Sequence, residues 1–322
     1  MFCSPFFDPG GKKNTLVETG TESGYLHSRY ADALSEFGRP RHLVQSGGWI
    51  LERQIAGTDF RDGMGCYPLF SCRDWSMLKA DLESLGQELI SLVLVADPFG
   101  EFSRELLSAT FPDMAVPFKQ HFVADLRQPA SDFVSRHHQY YARKALKAVA
   151  VEEHGNPAGM LDDWSELYDL LVERHRLTGL KAFSRTSFAK QLSVPGIRLL
   201  RATHQGQTVG AHLWYVQGDV AYSHLTASSA TGYELMAAYA LAWTAIELFT
   251  GKVQWLDWGA GAGLNTGSAD GLTRYKRGWA NDTRAAYLCG RIFDHARYEE
   301  ISRAKGIMGN DYFPCYRKGE FG

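Results

Sequence analysis

The sequence lacks charge bias. Its 34 basic and 36 acidic residues leave a net charge of about −2 over 322 residues. That balance gives no support to bulk polyanion binding and leaves only local basic patches. Cysteine is sparse and scattered: Cys3, Cys66, Cys72, Cys289 and Cys315, an odd number. No CxxC or Cys/His pair has zinc spacing, so no metal site is expected. The thiols read as reduced and mostly buried, as in a reducing cytosol. Long apolar runs are also missing. Residues 89–96 and 236–246 are too short or too interrupted to span a bilayer. The opening 13 residues carry no basic residue ahead of an apolar run, and Pro5 and Pro9 break any helix, so they do not read as a signal peptide. A cytoplasmic protein with no membrane span is expected. Core material is plentiful: 45% of residues are hydrophobic and 22% charged, which suits one large or two medium domains.

Periodicity and turn residues divide the chain into two similar plans. The first half reads as a helix over 24–37, then strands over 41–45 and 49–55 about the Ser46-Gly47-Gly48 turn. An edge strand over 66–70 and a helix over 75–85 follow. A strand over 89–96 then ends at Asp97-Pro98-Phe99-Gly100. Beyond it come a helix over 103–110, a strand over 120–125, a basic helix over 130–149 and a strand over 149–153. The second half reads as helices over 164–177 and 187–192 and a meander of 197–204, 208–217 and 220–226. A long helix over 234–250 and strands over 253–258 and 282–288 complete it. The expected fold class is α+β, with domains 1–155 and 156–322 meeting near a break at 154–159.

One stretch suggests cofactor chemistry. In Val253-Gln-Trp-Leu-Asp-Trp-Gly-Ala-Gly-Ala-Gly263 a strand runs into glycines, like the loop of an S-adenosylmethionine-dependent methyltransferase. The pattern then weakens. Two more glycines fall in 264–271 where a helix should begin, and Asp282 precedes its strand instead of closing it. The same glycines read as an ordinary turn.

Three motifs arrive in a recognisable order. They are Tyr140-Tyr-Ala-Arg-Lys-Ala-Leu-Lys-Ala-Val-Ala-Val-Glu152, Trp255-Leu-Asp-Trp-Gly259 and Leu272-Thr-Arg-Tyr-Lys-Arg-Gly-Trp279. With the meander and long helix between them, they resemble the FemAB-like branch of the GNAT superfamily over roughly residues 120–290. The resemblance implies two tandem GNAT-like domains, each a mostly antiparallel sheet flanked by helices, the first of them degenerate. It implies an N-acyltransferase in which an amine of a small molecule or sugar attacks the donor carbonyl directly. The donor would be acyl-CoA, such as acetyl-CoA. The oxyanion would lie against the backbone of Leu225, Thr226 and Ala227, and the donor phosphates against Ser228, Thr231, Gly232, Tyr233, Glu234 and Leu235. The usual acyl-CoA loop, Q/R-x-x-G-x-G/A, keeps only Gly232 here. The donor therefore stays open between acyl-CoA and the aminoacyl-tRNA of Fem-type relatives. A methyltransferase and a non-catalytic GNAT-like binding module are the readings of other classes.

Candidate catalytic residues follow from residue type and place. Asp257 ends an apolar strand and would orient or deprotonate the amine, or simply cap the turn at Gly259. Lys276 would meet a carboxylate or phosphate, or be one more solvated lysine. Tyr275 is a candidate general acid or a packed aromatic. Of the two meander histidines, His224 is placed nearer the cleft and His212 in the core. Arg143, Lys144 and Arg274 are candidate contacts for an anionic substrate, or plain surface charge.

Overall fold

The computed structural model describes residues 22–261, 271–307 and 312–320. Its strands are β1 (Arg39–Leu43), β2 (Gly48–Gln54), β3 (Arg61–Gly65), β4 (Ser91–Ala96), β5 (Met114–Asp125) and β6 (Ala150–Glu153). They continue with β7 (Ile197–His204), β8 (Gln207–Gln217), β9 (Val220–Ser228), β10 (Trp255–Ala260) and β11 (Asp282–Ile292). The α-helices are α1 (Ser28–Ala33), α2 (Leu78–Leu85), α3 (Arg104–Thr110), α4 (Ala130–Phe133), α5 (Arg136–Ala145) and α6 (Leu161–His175). After them come α7 (Arg185–Gln191), α8 (Ala230–Glu234), α9 (Ala237–Phe249), α10 (Gly271–Arg277) and α11 (His295–Ala304). Among the described residues no helix is long and apolar enough to cross a membrane.

All eleven strands join one sheet, in the order β1-β2-β3-β4-β11-β5-β10-β9-β8-β7-β6. Most neighbours are antiparallel; β3–β4 and β9–β10 are parallel. This is the mixed, mostly antiparallel α/β architecture expected, and not the doubly wound parallel sheet of a methyltransferase. β11 comes late in the chain yet lies between β4 and β5, while β6 pairs with β7 at the far edge.

Side-chain alternation assigns the two faces. Val220 and Tyr222 of β9 point toward α1, α6 and α7, where Tyr25, Tyr30, Trp164, Tyr168, Phe188 and Tyr215 pack. Ala221 points the other way, toward α5 and α9. Ala237, Ala240, Ala242 and Ala245 are buried along α9, and such small side chains let a helix lie close to a sheet. A further cluster under α2 and α3 holds Phe70, Trp75, Leu82, Leu92 and Phe111.

Several expected elements moved. The basic helix is broken into α4 and α5 because Val134 turns extended and Ser135 caps the second piece, its Oγ accepting from His138 N–H. The long helix is broken at Met236, which sits at φ 58° between α8 and α9. The third strand is β3, over 61–65, and Phe70 makes only an isolated bridge to Ala96. β5 starts six residues earlier than expected because its first half pairs with β11. A short helix, α10, does follow the glycine stretch, starting at Gly271.

Candidate active site

β9 and β10 run parallel but pair only where Val220, Ala221 and Tyr222 face Trp255, Leu256 and Asp257. Beyond Asp257 the strands part. The cause is local. β10 shifts register against β5 between Asp257 and Ala260, and Gly259 in that bulge takes φ 75°. From Ser223 to Ser228, apart from His224, β9 keeps its ladder to β8, and toward β10 it has no strand partner among the described residues. The backbone of Leu225, Thr226 and Ala227, expected near the oxyanion, lies on this open stretch. Leu225 and Thr226 are half-buried there.

Asp257 is buried and does not face solvent. Its carboxylate lies 2.8 and 3.0 Å from Nδ1 of His121 on the neighbouring β5, and accepts the Gly259 N–H at 2.7 Å. Of the two tautomers, the one with a proton on Nδ1 makes this a hydrogen bond and leaves a lone pair on Nε2. No other hydrogen bond to the His121 ring forms among the described residues. Sequence reasoning missed His121. A histidine inside a strand has no local mark, and its partner is 136 residues away.

Arg284 was missed as well. It is the Cα partner of His121 across β5 and β11. Its guanidinium stacks 4.2 Å from the Phe99 ring and 4.6 Å from the Trp255 ring. Phe99 is positioned by Asp97, a buried carboxylate that accepts from the Phe99 N–H, Ser71 Oγ and Tyr222 OH at 2.9, 2.6 and 2.8 Å. Burial raises the carboxyl of Asp97, against the pull of these donors.

On the opposite face of the sheet, Lys276 of α10 donates to the Ala260 carbonyl at 2.8 Å. A Cβ at Gly259 would sit 2.9 Å from its ammonium. Lys276 thus borders the opening. Tyr275 beside it does not: its hydroxyl donates to the Ala238 carbonyl at 2.9 Å, and burial pushes the phenol up. It is tied to α9 as a packed aromatic, and no proton donor to a substrate is left on it.

Of the two meander histidines, His212 is buried as expected, and His224 is not at the cleft where it was expected. His224 points into the aromatic core, with Tyr25 OH 3.1 Å from Nδ1 and Gln191 Oε1 2.9 Å from Nε2. Both ring nitrogens are used, which leaves no base to offer. His212 lies on the Lys276 side, its Nε2 2.8 Å from Ser223 Oγ and its buried Nδ1 without a partner among the described residues. Burial lowers both imidazoles to about 3, and the Lys276 charge adds to the effect at His212. An unfolded chain would therefore take up protons below its ordinary imidazole value of 6.5, while the folded chain refuses them. Stability present above that pH is lost as pH falls toward 3. The melting temperature is expected to drop between pH 6.5 and 4, with a shallower slope in His224→Gln. An unchanged slope in that variant would mean that His224 protonates freely in the fold.

The expected donor loop forms the turn from β9 into α8. Ser229 caps α8 through its Oγ, which accepts the Gly232 N–H at 3.2 Å. A Cβ on Gly232 would meet the Val209 carbonyl oxygen at 2.0 Å. Glycine is required here by the neighbouring strand, and its N–H is already used. Ser228 is buried, while Thr231, Tyr233 and Glu234 are exposed and Leu235 is half-buried. The Tyr233 ring carries the Arg174 guanidinium at 3.8 Å. Arg143, Lys144 and Arg274 are exposed on α5 and α10. Arg143 bonds back to Gln139 on its own helix. Two surface clefts lie elsewhere, one along Asp162, Glu166 and Arg185, the other beside Gly38, Arg39 and Arg317.

Comparison with known proteins agrees with this architecture. Residues 135–277 match the family described as Acetyltransferase (GNAT) domain. The crystal structure of FemX is similar with a TM-score of 0.63 and 13% identity, over 85% of this chain and 93% of that one. The C-terminal domain of a putative lysylphosphatidylglycerol synthetase from Agrobacterium fabrum matches with a TM-score of 0.59 and 13% identity, over 88% and 93%. L-PGS from Bacillus licheniformis matches with a TM-score of 0.56 and 14% identity, over 85% and 94%. No curated protein gave a significant sequence match.

Proposed function

We propose that this chain, a transferase of the GNAT superfamily with the fold of its FemAB-like branch, moves an acyl group from an activated donor to an amine in the opening between β9 and β10. The observation that carries the reading is the His121–Asp257 pair at the point where the strands part. An arriving ammonium must lose a proton before or as its nitrogen attacks. His121 Nε2 takes that proton, and Asp257 holds the ring and stabilises the imidazolium. Asp257 thus acts through His121 and does not touch the amine. The new C–N bond forms as the C–S bond of a thioester breaks, and the thiolate leaves with a proton. Unpaired β9 backbone N–H groups around Leu225–Ala227 would face the oxyanion. Lys276, at the rim, would meet the donor's negative charge. The donor opening lies in residues 156–322, which we take as the second domain. The base comes from residues 1–155, so both halves build the site.

The first donor reading is acyl-CoA, such as acetyl-CoA, with a small-molecule or sugar amine as acceptor in the cytoplasm. One observation favours a second. The Gly232 N–H is spent on Ser229 and its Cα is pressed against the Val209 carbonyl, so this glycine is not free for a pyrophosphate. An aminoacyl-tRNA donor does not need that cradle. A direct experiment incubates the protein with acetyl-CoA and an amine panel and follows thiol release, beside an assay for amine-dependent deacylation of mixed aminoacyl-tRNA. Amine-dependent thiol release is the expected result. Deacylation alone would support the second reading, and neither activity would overturn both.

A further inference from the structure

We infer that Arg284 is an anion-binding residue of the acceptor site, and that the acceptors are amino acid-like molecules carrying a carboxylate a few bonds from the nucleophilic amine. The inference rests on the acyl-transfer reading above and narrows it to a substrate class.

Three observations carry it. First, the Arg284 guanidinium has no hydrogen bond or ion pair among the described residues, although Arg39, Arg41, Arg53, Arg61 and Arg317 all have carboxylate partners in this fold. The rings of Phe99 and Trp255 hold the guanidinium by cation–π contact, and neither ring accepts a hydrogen bond as a carboxylate would. A planar fork held in place with its donors unused suits a carboxylate, which accepts two parallel N–H bonds. Second, Arg284 and His121 are directly opposed on adjacent antiparallel strands. Their side chains therefore leave the same face, with Cβ atoms ~4.5–5.5 Å apart. One small molecule can reach both. Third, the guanidinium leaves β11 and reaches across β5 to Trp255 on β10, two residues from Asp257, the carboxylate that holds His121. The site therefore sets an anion behind the base and a cation near it, the two charges that an amine carrying a nearby carboxylate would meet.

The test measures binding by calorimetry in the His121→Gln background, so that a failure of catalysis does not affect it. The probes are glycine, β-alanine, γ-aminobutyrate and glutamate, glycinamide and β-alaninamide as uncharged counterparts, and O-phosphoethanolamine as a phosphate-bearing amine. At least one amino carboxylate is expected to bind, and to bind ten-fold or more tighter than its amide counterpart. Adding Arg284→Met, which keeps the stem between the rings, should abolish that preference. Arg284→Lys should restore part of it, and it serves alone if the methionine variant does not fold. With His121 present, Arg284→Lys should raise KM for the carboxylate acceptor more than it lowers kcat. Equal binding of acid and amide, an unchanged preference in both Arg284 variants, or no binding of any probe would overturn the inference. Binding of O-phosphoethanolamine with none of the carboxylates would overturn the amino acid assignment. Failure of the acyl-transfer reading would show differently, as bound acceptor with no transfer from either donor.

Discussion

Replacing His121 with glutamine is expected to lower kcat by ~10²–10⁴-fold while leaving the fold and KM nearly unchanged, the range found when a positioned general base is removed. Glutamine keeps a polar group within reach of Asp257 but offers no basic nitrogen. Asp257→Asn should act in the same direction, because an amide no longer fixes the Nδ1–H tautomer or stabilises the imidazolium. A full rate in His121→Gln would reduce the pair to a structural contact. The predicted effects exceed those for Tyr275 or His224, whose polar atoms are already engaged within the fold.

Asp62→Ala is expected to cost the most stability, ~3–5 kcal/mol by chemical denaturation, the range for breaking a buried ion pair from one side. Asp62 is fully buried and holds two guanidiniums. Arg317 approaches its carboxylate at 2.6 and 2.9 Å, and Arg53 at 3.2 and 3.3 Å. Both arginine side chains are themselves buried. Removing the carboxylate takes a shared anion away from two buried cations, and burial already lowers Arg53. Arg317→Met placed on Asp62→Ala should recover part of the loss, since one fewer buried cation then lacks the Asp62 carboxylate. A larger loss in the double variant would show that Arg317 matters through its bonds to the Gln54 carbonyl and Glu320 instead.

The local plan of the fold was legible, and the site was legible in part. Alternating residues and Gly-containing turns marked the β7–β8–β9 meander because those strands are neighbours in both sequence and space. Trp255-Leu-Asp-Trp-Gly259 marked β10 and the bulge at which it leaves β9. The motif order pointed to the acyltransferase architecture. What escaped depends on pairing between distant segments. His121 becomes informative only when β5 is laid beside β10, and Arg284 only when β11 is laid beside β5. The placement of His224 in the core has a more local cause. β9 carries one extra residue against β8, since Leu213 faces Leu225 while Trp214 faces Ser223. That irregularity leaves His224 without a cross-strand partner and breaks a face assignment counted from one strand to the next. Gly232 misled for a similar reason. It is required by the Val209 carbonyl of β8, a contact that a loop pattern cannot contain.

β11 fills the place between β4 and β5, and this sets a timetable for the chain. On the ribosome, β4 and β5 emerge long before residues 282–292 are made. Until then a central slot stands empty, and each of the two strands offers an open edge to any passing strand. The nascent first half therefore cannot complete its own sheet. Closure waits for a strand synthesised more than 150 residues after β5, a non-local step that pays its loop entropy before it gains a bond. The last strand to enter brings Arg284 with it, so the face carrying His121 is finished only when the sheet is.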